Sequence, residues 1–182
     1  MKLKYKIWAF KDKYYYPIRQ YIKNIWKFRK ELSNFYDWNY DLGLFRRTIE
    51  LNKLAIEKYA HEVPESRLKK IAKMERAIYL LKLFEEDYFI GLAEEELGYK
   101  YDSGDWIFEP IEDRPGFSRL LDGLSDEVKE KNTALHNKSI EIQDALWVEL
   151  WSIIQGQYYK SFNKEVDFNE QFDGSGILTW WD

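Results

Sequence analysis

The stretch PESRLKKIAKMERAIYLLKLFEED, residues 64–87, decides the fold class. Leu68, Ile71, Met74, Ile78, Leu81 and Phe84 recur every three or four positions, the spacing of one helical face. Pro64 suits the first turn of such a helix, where its missing N–H is not needed. A helix or its continuation follows through Glu95, and Gly98 is the expected stop.

Upstream, Asp37 is a good N-cap for a helix from about Trp38 to Glu62. Trp38, Leu42, Phe45, Ile49 and Ile56 form one stripe, widened by Leu44, Leu51, Ala55 and Tyr59. Residues 63–64 leave a tight connection, so this helix and the next are expected to pair antiparallel. Before it, Ile18, Tyr21, Ile22, Ile25, Trp26 and Leu32 lie on one helical face, with Arg19, Lys23, Lys27 and Lys30 on the other. Residues 1–16 are basic and aromatic.

Downstream, Tyr99–Tyr101 and Trp106–Phe108 flank Asp102-Ser103-Gly104-Asp105, which predicts one short β-hairpin near residues 99–108. Pro110, Pro115 and Gly116 mark a loop. Ser125 or Asp126 caps a helical pattern reaching about Tyr159, either unbroken or interrupted near Asn132–Asn137, where propensity is weakest. Trp180 and Trp181 follow the hinge Asp173-Gly174-Ser175-Gly176; two indoles favour burial, so this end is expected to dock on the body or a partner. The prediction is an all-α bundle of about four to five helices plus that hairpin. It forms a single domain over 1–182, with a basic amphipathic segment 1–32 and an acidic docking tail 163–182.

The 182 residues include no cysteine and two histidines, His61 and His136, against 8 Trp, 14 Tyr and 11 Phe. Disulfides, thiolate metal sites and cysteine nucleophiles are thereby excluded, and a reducing compartment is expected. No leader pattern or membrane span is legible, which points to the cytoplasm. Charge is divided sharply: residues 1–30 carry ten Lys/Arg and one acid, a net +9, while the whole chain is −4, leaving −13 for the rest. Such asymmetry marks a segment that meets an anionic membrane, nucleic acid or an acidic partner, or folds back on its own acidic body.

No nucleophile elbow or phosphate-binding glycine loop occurs. Glu57 and His61 share a helix face with Glu50, but the paired Glu-x-x-His of a carboxylate metal site is missing, so neither metal nor cofactor is expected. Glu85-Glu86-Asp87 and Glu94-Glu95-Glu96 read as solvated helix ends; in a hydrolase, the alternative, Glu86 or Asp87 would carry turnover. Arginine offers a planar fork for phosphate and aromatic faces stack bases. The candidate ligand-binding residues are therefore Trp38, Tyr40, Arg47, Arg76, Trp147, Trp151, Trp180 and Trp181, with Arg46 beside them. The basic helix offers a second class, a peripheral membrane protein using residues 1–32 on an anionic surface. Specific nucleic-acid binding is not expected. A homo-oligomer would pair basic with acidic surfaces.

The chain also resembles a widespread family of small proteins encoded by tailed bacteriophages. The resemblance rests on the run Tyr16–Trp26, on Asp37-Trp38-Asn39-Tyr40, and on Arg76–Tyr88 with its Glu-Glu-Asp-Tyr end. Leu150-Trp151 and the Gly176 to Trp180-Trp181-Asp182 terminus complete it. It implies a non-enzymatic accessory protein in the cytoplasm of an infected host, working in host takeover or anti-defence. Its ligand would be a host protein or a small nucleotide immune signal that it sequesters.

Overall fold

The computed structural model describes residues 2–33, 40–59, 62–105, 107–121, 123–157 and 163–180. The described residues form a helical protein with one two-stranded antiparallel hairpin. They divide into two compact units, one made of the chain up to Glu85 together with Ile153 onward, the other of Glu86–Ser152.

In the first unit, α1 (Lys2–Phe10) passes through a π-helical turn (Lys11–Tyr15) into α2 (Tyr16–Ser33). This helical run extends the predicted amphipathic helix back to Lys2 and spans about 48 Å at 1.5 Å per residue. The reason lies in the spacing of Ile7, Phe10, Tyr14, Ile18, Tyr21, Ile25, Phe28 and Leu32, three or four apart throughout. Helices α3 (Tyr40–Tyr59) and α4 (Pro64–Glu86) pair antiparallel, as expected from their short connection. Arg46 meets Glu85 at one end, and Lys53 meets Glu75 at 2.8 Å further along. The core residues here include Ile49 and Ile56 from α3, Met74, Ala77, Leu80, Leu81 and Phe84 from α4, and Phe172 and Trp180.

A short helix, α7 (Phe168–Gln171), and a 3-10 turn (Ile177–Thr179) tie the tail to α4. Ser66 donates to the Asn169 side chain at 2.8 Å, Lys69 to the Asn169 carbonyl at 2.6 Å, and Lys73 pairs with Asp173. Trp180 is buried, and its indole N–H donates to the Gly174 carbonyl at 3.1 Å. The tail therefore docks on the body, as its indoles suggested; Trp181 lies outside the described residues.

In the second unit, α5 (Phe89–Leu97) ends at Gly98, which takes the left-handed conformation (φ 76°) and donates to the Glu94 carbonyl. Strands β1 (Ile107–Pro110) and β2 (Ser118–Leu121) pair Ile107 with Leu121 and Pro110 with Ser118. The hairpin thus lies further along the chain than 99–108. Arg114-Pro115-Gly116-Phe117 is its turn: Phe117 donates to the Arg114 carbonyl at 3.0 Å, with Gly116 at φ 89°. Proline and then a positive-φ glycine are the demands of a type II turn. Asp102 instead accepts from the Gly104 N–H, folding the Asp102–Gly104 loop on itself.

Helix α6 (Asp126–Gln155) is unbroken, so the interruption near Asn132 does not occur. Asn132 is occupied there: its side chain accepts from the Asp102 N–H at 3.2 Å and donates to the Asp102 carbonyl at 2.7 Å. A side chain engaged with a loop does not compete for its own helix backbone. Ser125 opens the helix, its hydroxyl accepting from the Val128 N–H.

Candidate functional site

Among the described residues of the first unit, none covers the apolar face of α1–α2. Trp8 is 61% exposed, Phe10 62%, Ile18 57% and Trp26 65%. Tyr5, Ile7, Tyr14, Tyr21, Ile22 and Ile25 are exposed as well. From Lys4 to Lys27 every residue stands in solvent. Only toward its end does α2 meet α3, where Arg47 donates to the Lys27 carbonyl at 3.3 Å. Burial of such rings and branched chains is worth roughly 1.5–3 kcal/mol apiece, so this face is a large unused driving force.

The rings contact their neighbours along the same helix. Phe10 and Tyr14 lie 5.3 Å apart, Tyr5 and Trp8 6.4 Å. A groove of about 500 Å³ is lined by Phe10, Tyr14, Tyr15, Ile18 and Ile22, with Arg19 and Lys23 beside them. Cations flank the aromatic faces: Lys13 lies 5.2 Å from the Tyr14 ring, and Arg29 5.2 Å from the Trp26 ring. Aromatic, apolar and cationic groups are thus interleaved on one exposed rod.

The residues expected to line a nucleotide pocket are placed differently. Arg47 binds Glu50 at 2.8 Å as well as the Lys27 carbonyl. Its neighbour Arg46 is held by Glu50 and Glu85, and hydrogen bonding to Glu85 raises its pKa further. Arg76 is exposed and lies over the Tyr79 ring at 5.1 Å. Tyr40 opens α3, half-buried, and Trp180 is buried in the core. Trp147 and Trp151 belong to the second unit and are exposed on α6. Trp38 and Trp181, like His61, lie outside the described residues. The arginines and the buried Trp180 thus answer to structural neighbours, and Trp147 and Trp151 are solvent-exposed.

Among the described residues, no group of three or more His, Asp or Glu gathers to hold a metal ion. Glu50 serves Arg46 and Arg47, and Glu57 sits 3.5 Å from Lys53. No described helix is long and apolar enough to cross a membrane. The amphipathic half from Ile18 onward is legible in the sequence, and Ile7, Phe10 and Tyr14 carry the same spacing upstream of it. Comparison with known protein families, curated proteins and solved structures finds no match for this chain.

Proposed function

We propose that this is an accessory binding protein whose working surface is the α1–α2 helix, lying in the interface of an anionic membrane. The observation that carries the reading is the uncovered aromatic and apolar face on a helix whose segment 1–30 has a net charge of +9. An interfacial helix buries its apolar face some 5–10 Å into the headgroup boundary while its cations meet phosphates. Trp8, Trp26 and the tyrosines have the amphipathic rings that settle at headgroup depth. Each Lys or Arg near an anionic leaflet adds about 1 kcal/mol. Duplex nucleic acid would use the charges and leave the apolar face wet.

The phage resemblance implies an infected bacterium as the setting and a part in host takeover or anti-defence; the α1–α2 surface would place that action at the inner leaflet. A nucleotide-sequestering role has less support, because Arg46 and Arg47 already hold carboxylates.

Vesicle flotation of the full chain tests the reading. Vesicles rich in phosphatidylglycerol are expected to carry the protein upward, and phosphatidylcholine vesicles to carry little. Replacing Ile18 and Ile22 with Asp is expected to abolish flotation without altering thermal stability, since both side chains are exposed. Undiminished flotation of that variant would overturn the proposal.

A further inference from the structure

The second unit, Glu86–Ser152, carries 17 Asp/Glu against 6 Lys/Arg, a net −11. Segment 1–30 of the first unit carries +9, so the chain holds two large charges of opposite sign, one in each unit. On the acidic unit, α6 also presents an apolar stripe. Ile140, Trp147, Val148 and Trp151 recur at the spacing of one helical face. All four are exposed, Val148 by 71% and Trp151 by 64%. Asp144 lies within the stripe and Glu141 at its edge, both exposed. From Ile140 to Trp151 the stripe is about 17 Å long at 1.5 Å per residue. The groove on α1–α2, from Phe10 to Ile22, covers much the same length, and the exposed Arg19 and Lys23 border it. Two amphipathic faces thus match in length and apolar character, with acids along one and cations along the other.

We infer that the α6 stripe of a second copy of this chain seats in the Phe10–Ile22 groove, with Arg19 and Lys23 facing Glu141 and Asp144 of the partner subunit. Side chains of one helix fill the groove of the other, burial of the rings supplies the affinity, and the opposite charges select the surface. Duplex nucleic acid would pair with the cations and leave both apolar faces wet. A second copy brings the stripe and the acids together, at the same concentration as the groove. The contact joins two different surfaces, so it is heterologous: it closes when both contacts of a pair form at once, and otherwise propagates. Association hides rings that the membrane reading uses, but it needs no membrane and does not rest on that reading.

Sedimentation of the full chain without vesicles, from about 1 to about 200 µM, provides the test. Reversible association with a dissociation constant of about 100 µM or tighter is expected. Val148→Asp combined with Trp151→Asp is expected to weaken it at least about tenfold without reducing flotation on phosphatidylglycerol vesicles, since neither residue lies on α1–α2. A failure of the membrane reading alone would appear as absent flotation of the parent chain with its association intact. Charge reversal supplies the second arm. Arg19→Glu with Lys23→Glu, and separately Glu141→Lys with Asp144→Lys, are each expected to weaken association at least about tenfold. Mixed together, the two variants are expected to associate again, because the acidic groove of one meets the lysine-bearing stripe of the other. All six positions are exposed, and circular dichroism reads whether each variant folds. A parent chain monomeric across the range, association undiminished in the folded α6 variant, or folded charge-reversed variants that do not recover on mixing would overturn the inference.

Discussion

Arg46 grips Glu85 across 39 residues of sequence, its Nε donating to Oε1 and its Nη2 to Oε2 at 3.1 Å. The two-point contact clamps α3 to the end of α4, and Glu50 completes the cluster. Both side chains are about one-fifth exposed, so the pair is only partly screened. Replacing Glu85 with Ala is expected to destabilise the fold by about 1–3 kcal/mol, read by urea denaturation. Arg46→Lys is expected to recover little, because an ammonium cannot reproduce the planar fork.

Salt distinguishes the two contributions proposed for membrane binding. At about 1 M ionic strength the screening length falls to about 3 Å, so the attraction of Lys and Arg for the leaflet should largely vanish. Vesicle affinity is expected to drop steeply between low and high salt while a residual apolar contribution persists. Trp8→Ala and Phe10→Ala are expected to remove that residue. Tryptophan fluorescence on vesicle titration measures both.

Trp180 anchors the tail. Trp180→Ala would empty an indole-sized volume in the core and leave the Gly174 carbonyl without its donor. A loss of about 3–5 kcal/mol is expected, measured by chemical denaturation. Trp180→Phe should cost less, since a ring remains in the cavity.

Gly174 is held at φ 92°, and a Cβ there would lie 2.5 Å from the Lys69 carbonyl oxygen and 2.7 Å from its carbon. Gly174→Ala therefore meets both backbone strain and a backbone clash. The expected loss is at least about 1 kcal/mol, with earlier proteolysis of the tail than in the parent chain.

Glu94 contributes to the acid sensitivity of the second unit, as does Glu127, which Lys131 holds low. The Tyr101 N–H, donating at 2.8 Å, and then Lys100 at 2.9 Å hold the Glu94 carboxyl below the usual range. A carboxyl depressed by folding contributes stability above its unfolded pKa and loses it as pH falls through the folded value. Acidification below the ordinary carboxylate range should therefore free the Tyr101 amide before neutral-pH contacts elsewhere give way. Amide exchange at Tyr101, followed against pH by NMR, reads this directly. Raised exchange that begins well above that range would contradict it.

Much of the helical framework was legible because its punctuation is local. Pro64 and Gly98 bound α4 and α5 by ring and φ constraints that act within a few residues. The hairpin was harder: Asp102-Ser103-Gly104 and Pro115-Gly116 both advertise turns, and only the tie between Asp102 and Asn132 shows which one closes the strands. Arg46 looked like a phosphate ligand because its partner Glu85 lies 39 residues away, where no local pattern connects them, whereas the Glu50 that holds Arg47 is an i, i+3 neighbour and could have been read from the sequence. The π-helical turn at Lys11–Tyr15 also hid the stripe running from Ile7 to Leu32, since three consecutive tyrosines blur a period of three to four.

The first unit is closed by residues far apart in sequence: Ser66 with Asn169, and Lys73 with Asp173. Between them the chain makes the whole of the second unit before returning at Ile153. On a ribosome adding roughly 5–20 residues per second, α4 waits some 5–20 s for its tail. During that interval its surface is unsealed, while the aromatic, cationic α1–α2 helix has already emerged from the exit tunnel. The order of synthesis thus exposes the unsealed face of α4 and the α1–α2 rings together. A chaperone, or the membrane itself, has its best opportunity to engage the protein before translation ends.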